Sequence, residues 1–429
     1  MRIAILTVGS RGDVQPNAAL AASLARAGHE TVLAAHEGSE GLVASAGVPF
    51  AIMPGGFTAE QRELEKNPAE LLRIRMRTAL ELCRGADAIV YNNLAFFGYD
   101  VAERLGILPI RMLFEPEVMT GEFPSVYARA PRTLGRAHNR LTHAIEKLSH
   151  WIPVARSVNR ARAEVLGLPP LPVWGPHPRM RRERVPVLIS ASPQLLPRPA
   201  DWPSRVQVTG YWYLDEGSDP EMPRDLREFL DAGPAPVFVE PGSFRNDVWT
   251  QIMRRVLESL LKSGARVVTS WCDPSFPPDA IPEELFLMDR DTRHAAVLPH
   301  VRAVVAHGGA GTIHALARAG LPALVISIFP SHAYWGRRIR DRGMGPGPIP
   351  FQKATPDRIA RGIDDLLSTD AFATRAREIG ALVRGERGAD LAVRHIERWV
   401  TGTSGAFERP VEGRARDLRR AAAGDPRPT

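Results

Sequence analysis

Short runs of apolar residues recur along the chain, each followed by a glycine-bearing turn and then by apolar positions at helical spacing. Residues 2–8 form the first such run, Gly9 to Pro16 the turn, and residues 17–26 an amphipathic helix stopped by Gly28. Strands are predicted over 31–35, 86–91 and 110–114, with residues 47–52 leading into another and a helix over 94–105 closed by Gly106. Strands that are apolar at every position are buried on both faces, so this alternation predicts a parallel, doubly wound α/β sheet. Residues 185–191 read as the last strand of this series and 206–212 as a crossover. A polar linker then runs to about residue 234, and a second series follows: strands over 236–239, 266–270, 285–288, 301–306 and 323–328, with a helix over 248–262.

The pattern predicts an N-terminal domain over 1–214, a C-terminal domain over 215–400, and a basic Arg, Ala, Gly and Pro-rich tail over 401–429 expected to be disordered. It loosens after residue 114. Glu115, Glu117, Thr120 and Phe123 fall in an irregular loop, and then Leu134, Leu141, Ile145, Leu148 and Ile152 recur at helical spacing. Just before and between them stand Arg132, Arg136, His138, Arg140, His143 and Lys147. This predicts an amphipathic insert with a basic outer face, either simply solvated or facing an acidic acceptor or a membrane surface.

With 429 residues and 44% hydrophobic content, the chain has ample material for two cores. Its two cysteines, Cys83 and Cys272, offer neither a disulfide framework nor a metal pattern, so a reducing compartment and no bound metal are expected. No charged-then-apolar leader and no run of about 20 apolar residues is present, and a soluble cytoplasmic protein, monomer or homodimer, is expected. The formal charge of +7 raises nucleic acid as a partner. Aromatics are not interleaved with the basic clusters as a stacking platform requires, which argues against it.

The chemistry concentrates between Val301 and Phe351. An apolar strand ends at His307, and Gly308-Gly309-Ala310-Gly311-Thr312 opens a helix. Glycines let backbone approach a ligand that a Cβ would exclude, and the amides at a helix start attract anions, so the turn predicts a diphosphate cradle. His307 is placed to donate to a phosphate oxygen, and Thr312 to supply an N-cap hydroxyl and a phosphate contact. A loop over 329–336, containing Ser331, His332, Tyr334 and Trp335, is predicted on the same sheet edge. Asp13 stands past the first strand, where a doubly wound sheet exposes side chains to ligands. It is a candidate general base; the alternative is a helix-start carboxylate complementing the dipole.

Gly9-Ser10-Arg11-Gly12-Asp13-Val14-Gln15-Pro16, Val208-Thr209-Gly210-Tyr211-Trp212, the His307 to Thr312 turn, and Trp335-Gly336 with Gly345-Pro346 together resemble the GT-B nucleotide-sugar glycosyltransferases. The likeness is nearest to the bacterial natural-product and sterol-glucosyltransferase-like branch, and reaches to about Trp399. It implies two Rossmann-like domains facing across a cleft, a nucleotide-sugar donor, a small-molecule hydroxyl acceptor, inversion at the anomeric carbon, and no metal or other cofactor. By resemblance, Asp13 and His307 are catalytic. Ser243, Trp271, His294, His307, Gly309, Ala310, Gly311, Thr312, Ser331 and His332 bind the donor. Ser10, Arg11, Asn92, Glu115, Thr120 and Tyr334 are the acceptor-side positions.

Two departures stand out. Ser331-His332 occupies the place of the branch's Asp-Gln pair, which suits an unusual sugar better than glucose. Glu240 stands where the family has glycine, and a carboxylate there needs a cation, for which Arg245 or an amino group on a substrate is a candidate. These departures also leave room for altered chemistry on the same fold, such as pseudo-sugar coupling, N-glycosylation or epimerisation, and for a silent auxiliary protein.

Overall fold

The computed structural model describes residues 1–55, 66–128, 134–214, 222–242, 246–271, 281–289, 292 and 294–402. Ser243, Arg245, Arg132, Cys272 and the tail beyond residue 402 lie outside the described residues.

Two parallel sheets carry the fold. The first contains β1 (Arg2–Leu6), β2 (Glu30–Ala35), β3 (Phe50–Ile52), β4 (Ala88–Tyr91), β5 (Leu108–Leu113), β6 (Val187–Ile189) and β7 (Val206–Val208), in the order β3-β2-β1-β4-β5-β6-β7. The second contains β8 (Val237–Glu240), β9 (Val267–Thr269), β10 (Leu285–Leu287), β11 (Ala303–Ala306), β12 (Ala323–Ser327) and β13 (Ile349–Pro350), in the order β10-β9-β8-β11-β12-β13. In each sheet the order reverses once, between β1 and β4 and between β8 and β11. Helices leave the sheet in opposite directions there, opening a crevice at the carboxyl ends of the strands. Asp13 follows β1 and His307 follows β11, so each sits at its own sheet's crevice.

Several expectations change. Residues 206–208 are not part of a crossover: they form a seventh strand, Val206 pairing with Val187. The first helix spans Arg11–Arg26, starting well before residue 17, which puts Asp13 in its first turn. Residues 329–336 are no loop, because Pro330 fits the N-terminal turn of a helix and starts one running Pro330–Asp341. The C-terminal domain also does not keep its last element. The helix Gly388–Gly402 returns to the first domain, where Ala392, Val393 and Ile396 join Ile3, Val14 and Leu20 in one core. Its crossing point is tight: a Cβ on Gly388 would stand 2.6 Å from the Tyr211 carbonyl oxygen.

The insert helix, Gly135–Trp151, forms as predicted but is turned over. Asn139, His143 and Glu146 are buried, while Leu141, Ile145 and Leu148 face outward. The irregular segment beneath explains this, because buried backbone groups without a ladder need polar partners. Asn139 Nδ2 donates to the Gly121 carbonyl at 2.8 Å, Lys147 Nζ to that of Glu117 at 2.6 Å, and His143 Nε2 pairs with that of Phe123 at 3.2 Å. Ser125 Oγ donates to Glu146 at 3.1 Å.

Candidate active site

At the first crevice the chain leaves β1 through Gly9, whose φ of +131° favours glycine. A Cβ there would meet Asp13 Oδ2 at 2.3 Å, so only glycine lets this carboxylate fold back over the turn. Asp13 Oδ2 accepts from the Ser10 amide at 2.8 Å and from Ser10 Oγ at 3.1 Å, as a third-position carboxylate does at a helix start. The helix-start role is therefore real, yet it occupies one oxygen. Oδ1 takes no hydrogen bond among the described residues. Burial raises the Asp13 pKa, against the two bonds from Ser10, and so makes the carboxylate more basic than usual.

Behind it, Asn92 Nδ2 donates to Thr7 Oγ1 at 3.0 Å and to the Val8 carbonyl at 2.8 Å, while Oδ1 accepts from the Ala95 amide at 3.0 Å. Asn92 is thus a buried clip between the ends of β1 and β4 and does not face an acceptor. Thr120 is fully buried, donating to Asp201 Oδ1 at 2.5 Å, and is likewise withdrawn from the acceptor side. Both carry polar groups to positions that water cannot reach, where backbone and carboxylate partners claim them. Arg11 is exposed and Ser10 half-buried at the rim.

Glu115 lies just past β5. Burial, then the charges of Glu117 and Asp13, push its carboxyl up to about 8, so it holds a proton at neutral pH. The Trp335 indole, from the other domain, faces it and tempers the rise, without a bond of full hydrogen-bond geometry. Burial, then the charges of Asp13 and Glu115, raise the Tyr211 phenol.

At the second crevice, His307 follows β11 and its Nδ1 faces the Glu240 carbonyl at 3.4 Å. The ring lies flat against Gly242, where a Cβ would come within 2.9 Å, and its Nε2 lies over Gly309, where a Cβ would come within 2.5 Å. The helix that follows spans Ala310–Ala319 with Gly309 as its N-cap and no side-chain cap on its first amides. Thr312 is consequently the third residue of the helix and not its cap. The first amides of the helix are thus left without a side-chain cap, with the positive end of the dipole behind them and the imidazole beside them. Burial lowers the His307 pKa, opposed by Glu240. His332 stands edge-on to His307 at 5.1 Å, and burial, then the His307 charge, push it down to about 3.

Glu240 is 7% exposed and meets an imidazole within the protein: His294 Nε2 lies 2.9 Å from Glu240 Oε2. Its Oε1 accepts from the Gly242 amide at 2.9 Å. Burial alone would raise this carboxyl, but His294, His307 and the Gly242 amide together hold it below the ordinary range. His294 is therefore Glu240's partner first. Trp271 is a core side chain packed with Trp249 and Ile252. Ser331 is buried in the first turn of the Pro330–Asp341 helix, and Tyr334 packs against Phe123 of the first domain at 6.2 Å.

The two crevices meet. Tyr211 stacks flat on His314 of the cradle helix at 4.6 Å, and its hydroxyl stands 3.0 Å from where a Gly311 Cβ would be. Tyr213 Oη donates to the His314 carbonyl at 2.8 Å, and Arg338 Nε to that of Leu195 at 2.6 Å. Tyr211 and His314 were not among the predicted site residues. Their only sequence signal was membership of the 208–212 motif and one helical turn of spacing from Ala310.

Residues 3–92 match the glycosyltransferase family 28 N-terminal domain, and residues 255–387 match the erythromycin biosynthesis protein CIII-like C-terminal domain. The sterol 3-beta-glucosyltransferase of Aspergillus fumigatus is 30% identical over 435 residues, covering 93% of this chain and 30% of that protein. That of Aspergillus oryzae gives the same figures, so the chain spans about a third of the length of the curated relatives it matches. Among solved structures, the spinosyn forosaminyltransferase SpnP has a TM-score of 0.69 at 15% identity, over 94% of this chain and 99% of that one. The glycosyltransferase VinC, in complex with dTDP, has a TM-score of 0.65 at 18% identity, over 94% and 100%. The chain thus carries a family 28 glycosyltransferase N-terminal domain over residues 3–92 and a CIII-like C-terminal domain over 255–387, on two parallel-sheet domains joined at their crevices in the GT-B glycosyltransferase fold.

Proposed function

We propose that the protein transfers a sugar from a UDP- or dTDP-sugar to a hydroxyl of an apolar small molecule, with inversion and without a metal. The observation that carries this reading is the pairing of Asp13, with one oxygen free and its basicity raised, with an uncapped helix start and His307 across the seam. Asp13 takes the proton of the acceptor hydroxyl as the oxygen attacks the anomeric carbon. The bond to the diphosphate breaks with its electron pair, and the charge falls on the amides of Ala310 to Thr312 and on His307. Protonated Glu115 does not compete as a base but can donate a hydrogen bond to the acceptor. VinC's dTDP and the sterol acceptors of the Aspergillus enzymes support the two substrate classes.

The donor departs from glucose in this reading, since Ser331 and His332 in a first helical turn offer a sugar fewer acceptors than a carboxylate and an amide. The test is product analysis by mass spectrometry after incubation with a panel of UDP- and dTDP-sugars and apolar alcohols, with Asp13→Ala alongside. Transfer by the wild type and none by the variant, with nucleotide affinity kept, is expected. Wild-type turnover by the variant would remove Asp13 from the mechanism.

A further inference from the structure

We propose that the outward face of the Gly135–Trp151 helix docks the protein on an anionic lipid bilayer. The helix is amphipathic in the reverse of the usual sense. Leu141, Ile145, Leu148 and Ile152 follow at spacings of four, three and four, so they fall on one line along the helix. Leu141 is 56% exposed and Ile145 58%, whereas Asn139, His143 and Glu146 on the opposite side are buried. The stripe continues past the helix. Gly175 lies against the Trp151 ring, where a Cβ would come within 2.8 Å, and brings its neighbours Val173 and Trp174 to the same end. Both are exposed, Trp174 at 59%. Aliphatic residues in line with a tryptophan at one end suit the boundary between lipid headgroups and acyl chains.

Charge selects among the occupants. Between Leu134 and Arg184 the chain carries ten Arg or Lys and three Glu. Arg162 is buried against Asp100 and Glu103, Lys147 is held by the Glu117 carbonyl, and Arg136, Arg160 and Arg179 pair with carboxylates, so the positive surface here is the exposed remainder. Arg140, about a quarter turn from Leu141, is taken up by Asp201 at 3.2 Å, whereas Arg156, Arg181, Arg182 and Arg184 are exposed beyond the helix. A second copy pairing through this face would bring like charge against like. An anionic bilayer is attracted instead, through a term that salt screens. The buried side of the helix holds the segment from Glu117 to Ser125, which follows Glu115 in the crevice. Docking here places the acceptor edge of the site next to lipid.

The test is co-sedimentation of the full chain with vesicles of mixed phosphatidylglycerol and phosphatidylcholine, and with pure phosphatidylcholine. Binding to the mixed vesicles, weakened by salt and by at least ~tenfold in the Ile145→Gln, Leu148→Gln double variant, is expected. These side chains touch solvent, so the variant should melt with the wild type. No binding by the wild type, or equal binding by the variant, would overturn the proposal. So would a wild-type dimer in gel filtration that the double variant splits, which would assign the face to a second copy.

Discussion

At the scale of single residues, the site depends on which polar atoms remain unspent. Asp13 gives one oxygen to the Ser10 amide and keeps the other. Asp13→Asn should lower kcat by about 10²–10⁴-fold, the range of a lost general base, and leave nucleotide affinity by calorimetry unchanged. Gly9→Ala should lower turnover as well, since its Cβ would stand 2.3 Å from Asp13 Oδ2 at a φ of +131°. Glu115 supplies a different test. Its folded pKa lies above the ordinary carboxyl value, so its contribution to stability is full below about 4.5 and is lost as pH rises through about 8. Glu115→Gln should therefore melt higher than the wild type at alkaline pH, measured by calorimetry, with the advantage fading in acid. The sequence marked Asp13 and His307 because they follow apolar runs, and Glu115 through the family resemblance. It could not show that Asn92 and Thr120 are spent on Val8 and Asp201, because those partners come from other strands and loops.

At the scale of elements, the proposed cradle rests on a helix start whose first amides have no side-chain cap. Gly309 stands at its start with Nε2 of His307 above it, and the ring cannot retreat because Gly242 lies behind. Gly309→Ala should displace the imidazole and weaken nucleoside diphosphate binding by ~tenfold, about 1.4 kcal/mol, in calorimetry. Periodicity located most elements because the period of an apolar pattern is a local property. It could not assign the direction an amphipathic helix faces. Leu141 and Ile145 read as core, yet the carbonyls of Gly121, Phe123 and Glu117 claimed the polar face of that helix. The stretch over 329–336, read as a loop, is instead a helix start, where proline is unstrained.

At the scale of the whole molecule, buried ionisable groups set a pH optimum. Burial holds His143 and His314 at about 4 and His332 at about 3, below the ordinary 6.5. The unfolded chain binds more protons than the folded one below 6.5, so these groups remove stability as pH falls toward 4. Glu115 at about 8 and Glu386 at about 7 act in the opposite sense, removing stability as pH rises. From these groups together, the melting temperature should peak near pH 6.5 and fall on both sides, as a differential scanning calorimetry series would show. The returning helix offers a second test. Gly388→Ala sets a Cβ against backbone of Gly210 and Tyr211, which cannot swing aside, and should cost ~1–3 kcal/mol of stability by chemical denaturation.

The alternation of apolar runs with glycine turns by itself determined two doubly wound sheets and the carboxyl edges where Asp13 and His307 stand, because strand burial and turn chemistry are written in neighbouring residues. Tertiary structure alone decided that His294 stands against Glu240, that Tyr211 rests on the Ala310–Ala319 helix, that the last helix belongs to the first domain and that the insert shows its apolar side. Each of those depends on which distant groups were left needing a partner once the strands had assembled, and no local pattern carries that information.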